Sequence, residues 1–418
     1  MKLDAPDFHS YNILGCFIIS LQKKEMLIMD LFATKIARNK LNDSFKHIYK
    51  DPKLASVREV IQSWGRGLLQ RSGESTKFVN EFQTTFNSAL WELYLNEMFI
   101  RLGYSVDYTK DSPDFNVTTP SGYTFNVEAM VSDKPHKPPV GDIFSESKFK
   151  HQSTLKLLGK IKDKHELFTG VKGKKFPYST MEHVVGKPFV LALAPFDSKL
   201  SLTQNNTIIN RVLFGIEEPT MRDIARGQQR RVSSIKKNEH SEIPLGIFTN
   251  DSYKEISAVI FSTTGTFGKA VVQSGVERYI RSTRYRTLDA NHFIASEGMK
   301  NEGTHTKKLG AEHYLKTHRK FYNNEVIGAD IELCHSREYT ETHFDGLHVY
   351  YNPNAIVPLD KSIFFPPEIT QNFYDMVSDS PVQNHPDRAL VSRQVFEPSK
   401  ACLRLIIKHW FPEYIEDL

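Results

Sequence analysis

Asp114 and Glu128 are the residues whose types and spacing most suggest chemistry. They lie in PDFNVTTPSGYTFNVEAM, residues 113–130, where Pro120-Ser121-Gly122 separates the runs FNVTT and YTFNVEAMV. Residues two apart in a strand share a face, and a three-residue loop ending in glycine commonly closes a hairpin. That loop pairs Thr119 with Tyr123 and opposes Asp114 to Glu128, each seven residues from Ser121. Directly opposed side chains lie roughly 4.5–5.5 Å apart at Cβ. Two carboxylates so placed repel each other unless a positive charge stands between them. A hard divalent cation, Mg²⁺ or Mn²⁺, suits an oxygen-rich pair and keeps waters of its own. Such an ion polarises a phosphoryl oxygen and lowers the pKa of a bound water. The competing expectation is an ordinary hairpin, in which Ser-Pro-Asp opens a turn and Glu128 belongs to a half-exposed polar face with Thr124, Asn126 and Met130. On either reading Tyr123, Phe125, Val127 and Ala129 lie on the opposite, core-facing side.

Phosphoryl chemistry also calls for a cation near the attacking water, because negative charge builds on the phosphoryl oxygens in the transition state. Met130, two residues past Glu128, cannot supply it. The following basic amphipathic segment, SESKFKHQSTLKLLGKIKDKHELF from Ser145 to Phe168, offers Lys156, Lys160 and Lys164 at four-residue spacing. Leu155, Leu158, Ile161 and Phe168 mark its apolar stripe, and the lysines flank it. Lys160 is the preferred donor, being central and next to Gly159; Lys156 and Lys164 follow. The competing expectation is a solvated basic face.

The elements that must position these groups follow from periodicity. Three-and-four spacing of apolar residues predicts helices between about Lys24 and Gln70. RSGEST breaks that region. A long amphipathic helix follows, from Lys77 to Gly103, carrying Phe78, Phe82, Phe86, Leu90, Leu93 and Phe99. YSVDYT alternates as a strand and precedes the hairpin. KPFVLALAPF from Lys187 and EISAVIFSTTG from Glu255 are nearly continuous apolar runs, as expected of buried strands. The order is helix, three strands, helix, strand, polar insertion, strand, which predicts an α/β protein with a mixed sheet.

With Pro113-Asp114 and Glu128 placed in this order of elements, the chain resembles the PD-(D/E)XK nuclease superfamily from about Lys77 to Phe196. The resemblance implies a restriction-endonuclease-like core, a mixed central sheet flanked by helices. It divides the chain into an N-terminal helical segment (1–75), the nuclease-like core (76–265) and a large α+β C-terminal elaboration (266–418). It implies that Asp114 and Glu128 hold Mg²⁺ or Mn²⁺, and that a glutamate of the first helix completes the shell, Glu92 ahead of Glu97. The superfamily's lysine would stand at Met130; some members carry it on the next helix, where Lys160 is expected here. The implied activity is endonucleolytic cleavage, of DNA rather than RNA, in restriction, repair or defence. The alternative is a nuclease fold that has lost its metal site and only binds nucleic acid or a partner subunit. Many nucleases of this class act as dimers, so a homodimer is expected among the partners, as is a protein that switches the activity.

The bulk numbers permit all of this. With 418 residues, 39% hydrophobic and 25% charged, the chain can bury a sizeable core. Its net charge of +5 admits a polyanionic partner without demanding one. Two basic stretches suit phosphate contacts: RGQQRRVSSIKK, with Arg230, Arg231, Lys236 and Lys237, and RYIRSTRYR, with Arg281 and Arg284. Solvated surface is the equal alternative for each, a loop in the first case and a helix face in the second. His343, Asp345 and His348 lack metal-site spacing and are expected to be structural. TTGTFGKA has Thr263 where a phosphate loop needs glycine, and no zinc-protease, serine-hydrolase or dinucleotide motif occurs. Cys16, Cys334 and Cys402 form no disulfide framework, so a reducing cytoplasm is expected. The apolar run Tyr11–Leu21 is too short to cross a bilayer and lacks the flanks of a signal peptide. A buried strand or helix edge is expected there, with Met26 or Met29 an alternative start.

Overall fold

The computed structural model describes residues 29–71, 73–133, 146–171, 176–196, 204–217, 223, 226, 228–285, 301–309, 312–319 and 329–410. The run Tyr11–Leu21 lies outside them. Its helices are α1 (Asp43–Lys50), α2 (Ala55–Trp64), α3 (Ser75–Thr84), α4 (Asn87–Arg101), α5 (Glu146–Thr169), α6 (Thr207–Phe214), α7 (Phe267–Gln273) and α8 (Lys400–Trp410). Its strands are β1 (Ser105–Val106), β2 (Phe115–Thr118), β3 (Thr124–Asp133), β4 (Phe189–Phe196), β5 (Ser234–Asn238), β6 (Ser241–Pro244), β7 (Ala258–Ser262), β8 (Tyr279–Tyr285), β9 (Asn301–Leu309), β10 (Glu312–Arg319), β11 (Ala329–His335), β12 (Leu347–Tyr351), β13 (Thr370–Asp375), β14 (Ser380–Asn384) and β15 (Leu390–Phe396).

The protein is α/β, built on an eight-stranded mixed sheet in the order β1-β2-β3-β4-β7-β12-β13-β14. The hairpin and β1 are antiparallel; β3, β4 and β7 run parallel, and β12 returns antiparallel to β7. The sheet thus draws three strands from beyond residue 265. A second sheet, β15-β8-β11-β10-β9, carries most of the rest.

The continuous apolar run of β4 reflects burial on both faces. Val190, Ala192 and Ala194 join the core built with α1 to α4, where Trp91 Nε1 donates to the Ala192 carbonyl at 3.1 Å. Phe189, Leu191 and Leu193 pack with Leu157, Leu158 and Ile161 of α5 and with the buried side of α6.

Three expectations are corrected. The long helix from Lys77 to Gly103 is two helices, because Phe86 turns the chain at φ +51° while its side chain stays buried. YSVDYT supplies only the two residues of β1; Asp107 then folds its carboxylate onto the amide and hydroxyl of Thr109, at 2.9 and 2.7 Å, which makes a turn. The described part of RYIRSTRYR is no exposed helix: Tyr279–Tyr285 form strand β8, paired on both edges.

Candidate functional site

The hairpin has the register expected from its loop. Phe115 faces Val127, Thr118 faces Thr124, and Thr119 N donates to Tyr123 O at 2.9 Å. Gly122 closes the turn at φ +84°, a left-handed conformation that glycine adopts without a Cβ penalty. One step past β2, the same register sets Asp114 opposite Glu128. There the backbone ladder ends and the Asp114 side chain replaces it: Oδ2 accepts from Ala129 N at 2.7 Å.

The polar face of β3 is not half-exposed. Asn126, Glu128 and Met130 are all buried, Glu128 to 2% exposure. Met130 packs beside the apolar residues of α5, which covers this side of the sheet. Glu128 thus enters a core face, where a carboxylate requires a counter-charge. Lys164 provides it, donating from Nζ to Glu128 Oε1. Tyr178 OH lies 3.4 Å from the same oxygen. Burial works against the Lys164 ammonium, but the charge and hydrogen bond of Glu128 outweigh it and hold its pKa above the ordinary value. Asp114 and Glu92 act in the same direction.

Lys160, the preferred lysine, is exposed instead, and Gly159 beside it faces open space. The helix turns its Leu157, Leu158 and Ile161 side to the sheet, which carries Lys160 outward and Lys164 inward. Lys156 is partly buried.

Asp114 and Glu92 are near enough to Glu128 for its charge to act on both. Burial pushes the Asp114 carboxyl up to about 7, and the charge of Glu128 adds to it; Lys164, the Ala129 amide and Arg71 pull the other way. Glu92, on α4, lies well above the carboxylate range for the same reasons, burial first and the charge of Asp114 next. Glu97, the lesser choice on that helix, is engaged elsewhere, paired with Arg66 at 2.8 Å and Arg101 at 2.7 Å. Arg71 and Tyr178 escape sequence reasoning because neither lies in a motif; Arg71 comes from the link between α2 and α3, and Tyr178 from a short 3-10 helix before β4.

The donor set suits a hard cation. Glu128 Oε2 is buried with no hydrogen-bond partner, an acceptor whose desolvation nothing in the protein offsets. Among the described residues, no three His, Cys, Asp or Glu side chains converge as a ready metal cage. Mg²⁺ does not need one, since it commonly takes one or two carboxylates and completes its octahedron with water and substrate phosphate. Asp114 and Glu128 are the two that fit.

The basic residues divide into three groups. Lys236 and Lys237 are exposed on β5. Arg230 and Arg231 are also exposed but already paired, Arg230 with Glu217 at 3.3 Å and Arg231 with Asp379 at 3.2 Å and Tyr374 OH at 2.8 Å. Arg281 and Arg284 are buried and cannot meet a phosphate strand. Arg281 donates to Ser392 Oγ at 3.3 Å. Arg284 pairs with Asp345 at 2.9 Å and donates to the carbonyls of Thr340 and Arg388. His343 is likewise structural, bonded to the Tyr94 carbonyl at 2.9 Å and stacked on its ring. Among the described residues, no helix is long and apolar enough to cross a membrane.

Comparison with known proteins adds no relative: no family model, no curated protein and no solved structure matches the chain.

Proposed function

We propose that the chain is a divalent-metal-dependent nuclease of the PD-(D/E)XK type that hydrolyses phosphodiester bonds, DNA being the favoured substrate. The observation that carries this is the state of Glu128: one oxygen meets a lysine from the neighbouring helix, and the other is buried without a partner opposite a second carboxylate. The order α4, β1 to β3, α5, β4, with β4 parallel to β3, supports the restriction-endonuclease-like core.

In this proposal Asp114 and Glu128 hold Mg²⁺ or Mn²⁺, and Glu92 joins directly or through water. When bound, the ion supplies charge stabilisation on the phosphoryl oxygen and a more acidic water. Lys164 stays protonated, so it donates to developing negative charge rather than accepting a proton. Tyr178 steadies the Glu128 oxygen that Lys164 shares. The Ala129 amide fixes the Asp114 carboxylate. Such an activity suits restriction, repair or defence against foreign DNA.

The test is incubation with plasmid, linear duplex, single-stranded DNA and RNA, in Mg²⁺, Mn²⁺ or EDTA. Metal-dependent cleavage that Asp114→Asn and Glu128→Gln abolish is the expected result. Cleavage that survives EDTA or both substitutions rejects the proposal. Binding without cleavage under every condition favours the inactive nucleic-acid-binding module.

A further inference from the structure

Arg71 stands beside the carboxylates without an anion of its own. It follows the short turn that links α2 to α3, and its Nη2 donates to the carbonyls of Lys110 and Asp114, each at 3.2 Å. Its Nε is buried and has no partner. A guanidinium carries five N–H donors, yet two long bonds from one nitrogen are all that the described residues take from this one. No carboxylate among the described residues lies within ion-pair reach of it, although its charge is felt at both Asp114 and Glu92.

Burying an N–H donor without an acceptor is unfavourable. An oxyanion placed against the free edge of the guanidinium relieves this, and a planar fork matches phosphate geometry. Lys164 approaches the site from the Glu128 side, and Arg71 from the Asp114 backbone. A strand crossing the two carboxylates would therefore meet a cation on each side.

We propose that Arg71 is a phosphate-binding residue, taking a backbone phosphate of the nucleic-acid strand that lies across Asp114 and Glu128. That the phosphate belongs to a nucleic acid rests on the proposed nuclease function; the anion site itself rests on the unpartnered guanidinium. A tie between the N-terminal helices and the 110–114 loop is the rival role, and it predicts a change in stability alone.

The test uses the full chain in EDTA, so that no cleavage is required. A short fluorescein-labelled duplex is titrated by anisotropy across a salt series. Arg71→Gln is expected to lower the slope of log affinity against log salt by about one, as for the loss of one phosphate contact. Arg71→Lys is expected to keep the slope and bind severalfold more weakly, since the ammonium retains the charge but not the fork. An unchanged slope in a folded Arg71→Gln protein overturns the proposal, as does wild-type protein with no salt-dependent binding. If Arg71→Gln does not fold, Arg71→Lys decides, and wild-type affinity in that variant overturns it. A lost unit of slope in a protein that never cleaves keeps Arg71 and discards the nuclease. Metal-dependent cleavage with an unchanged slope does the reverse.

Discussion

Lys164 reaches Glu128 from within the buried stripe of its own helix. Leu157, Ile161, Lys164 and Phe168 are spaced four, three and four residues apart, so at 3.6 residues per turn they form one row. Leu157 and Ile161 pack into the core. Lys164 holds the next place in the row and ends on a carboxylate that is 2% exposed. A charged residue at a core position of a helix is costly without a partner, and here the partner is the glutamate of the hairpin.

This pair makes an unequal prediction for neighbouring lysines. Lys164→Ala leaves Glu128 buried and uncompensated; breaking a buried pair costs about 3–5 kcal/mol, and the partial exposure of Lys164 reduces this to roughly 2 kcal/mol. Cleavage should fall by about a hundredfold or more, as for loss of a transition-state donor. Lys160→Ala should leave both stability and cleavage near wild type. Urea denaturation and single-turnover cleavage of the two variants check this, and equal behaviour of the pair would contradict it.

In the proposed metal site, the Asp114 carboxyl would tie metal binding to pH. Its pKa rises on folding from 3.8 to about 7, so its contribution to stability is fully present below the lower value and is lost as pH rises through the upper one. Glu92 shifts in the same direction. The metal-free protein should therefore lose stability from these groups as pH rises toward neutrality. Mn²⁺ needs the ionised carboxylate, so its affinity should increase through about pH 7, with proton release on binding that fades above it. Calorimetry in buffers of different ionisation enthalpy measures that release, and a pH-independent affinity would contradict the assignment.

The basic residues should separate by exposure. Joint reversal of Lys236 and Lys237 to glutamate should weaken nucleic-acid binding and reduce its salt slope by about two, with stability unchanged. Arg284→Gln should leave the slope intact but strand Asp345 in the interior, at about 3–5 kcal/mol. Anisotropy and thermal melting of the same two proteins tell surface contact from buried strut.

The hairpin was readable from sequence because its register is local: Gly122 sets the turn, and alternation carries the pairing from Thr119 back to Asp114. The helix on which the lysine stands was readable too, but not the lysine. Placing the stripe on Leu155 and Leu158 turns the helix enough to favour Lys160, and only the packing of Leu157 against the sheet sets the angle. Arg281 and Arg284 resemble surface residues because the groups that satisfy them, Ser392 and Asp345, lie far along the chain. Arg71 carries no local signal at all, since a carbonyl it meets is 43 residues away.

The most direct measurement is anomalous diffraction from crystals grown in Mn²⁺. The account predicts a peak at oxygen-ligand distance, about 2.1 Å, from Glu128 Oε2 and from the Asp114 carboxylate, lost in Glu128→Gln. Crystals saturated with Mn²⁺ that show no peak at these two residues, or a peak unaffected by that substitution, would contradict it.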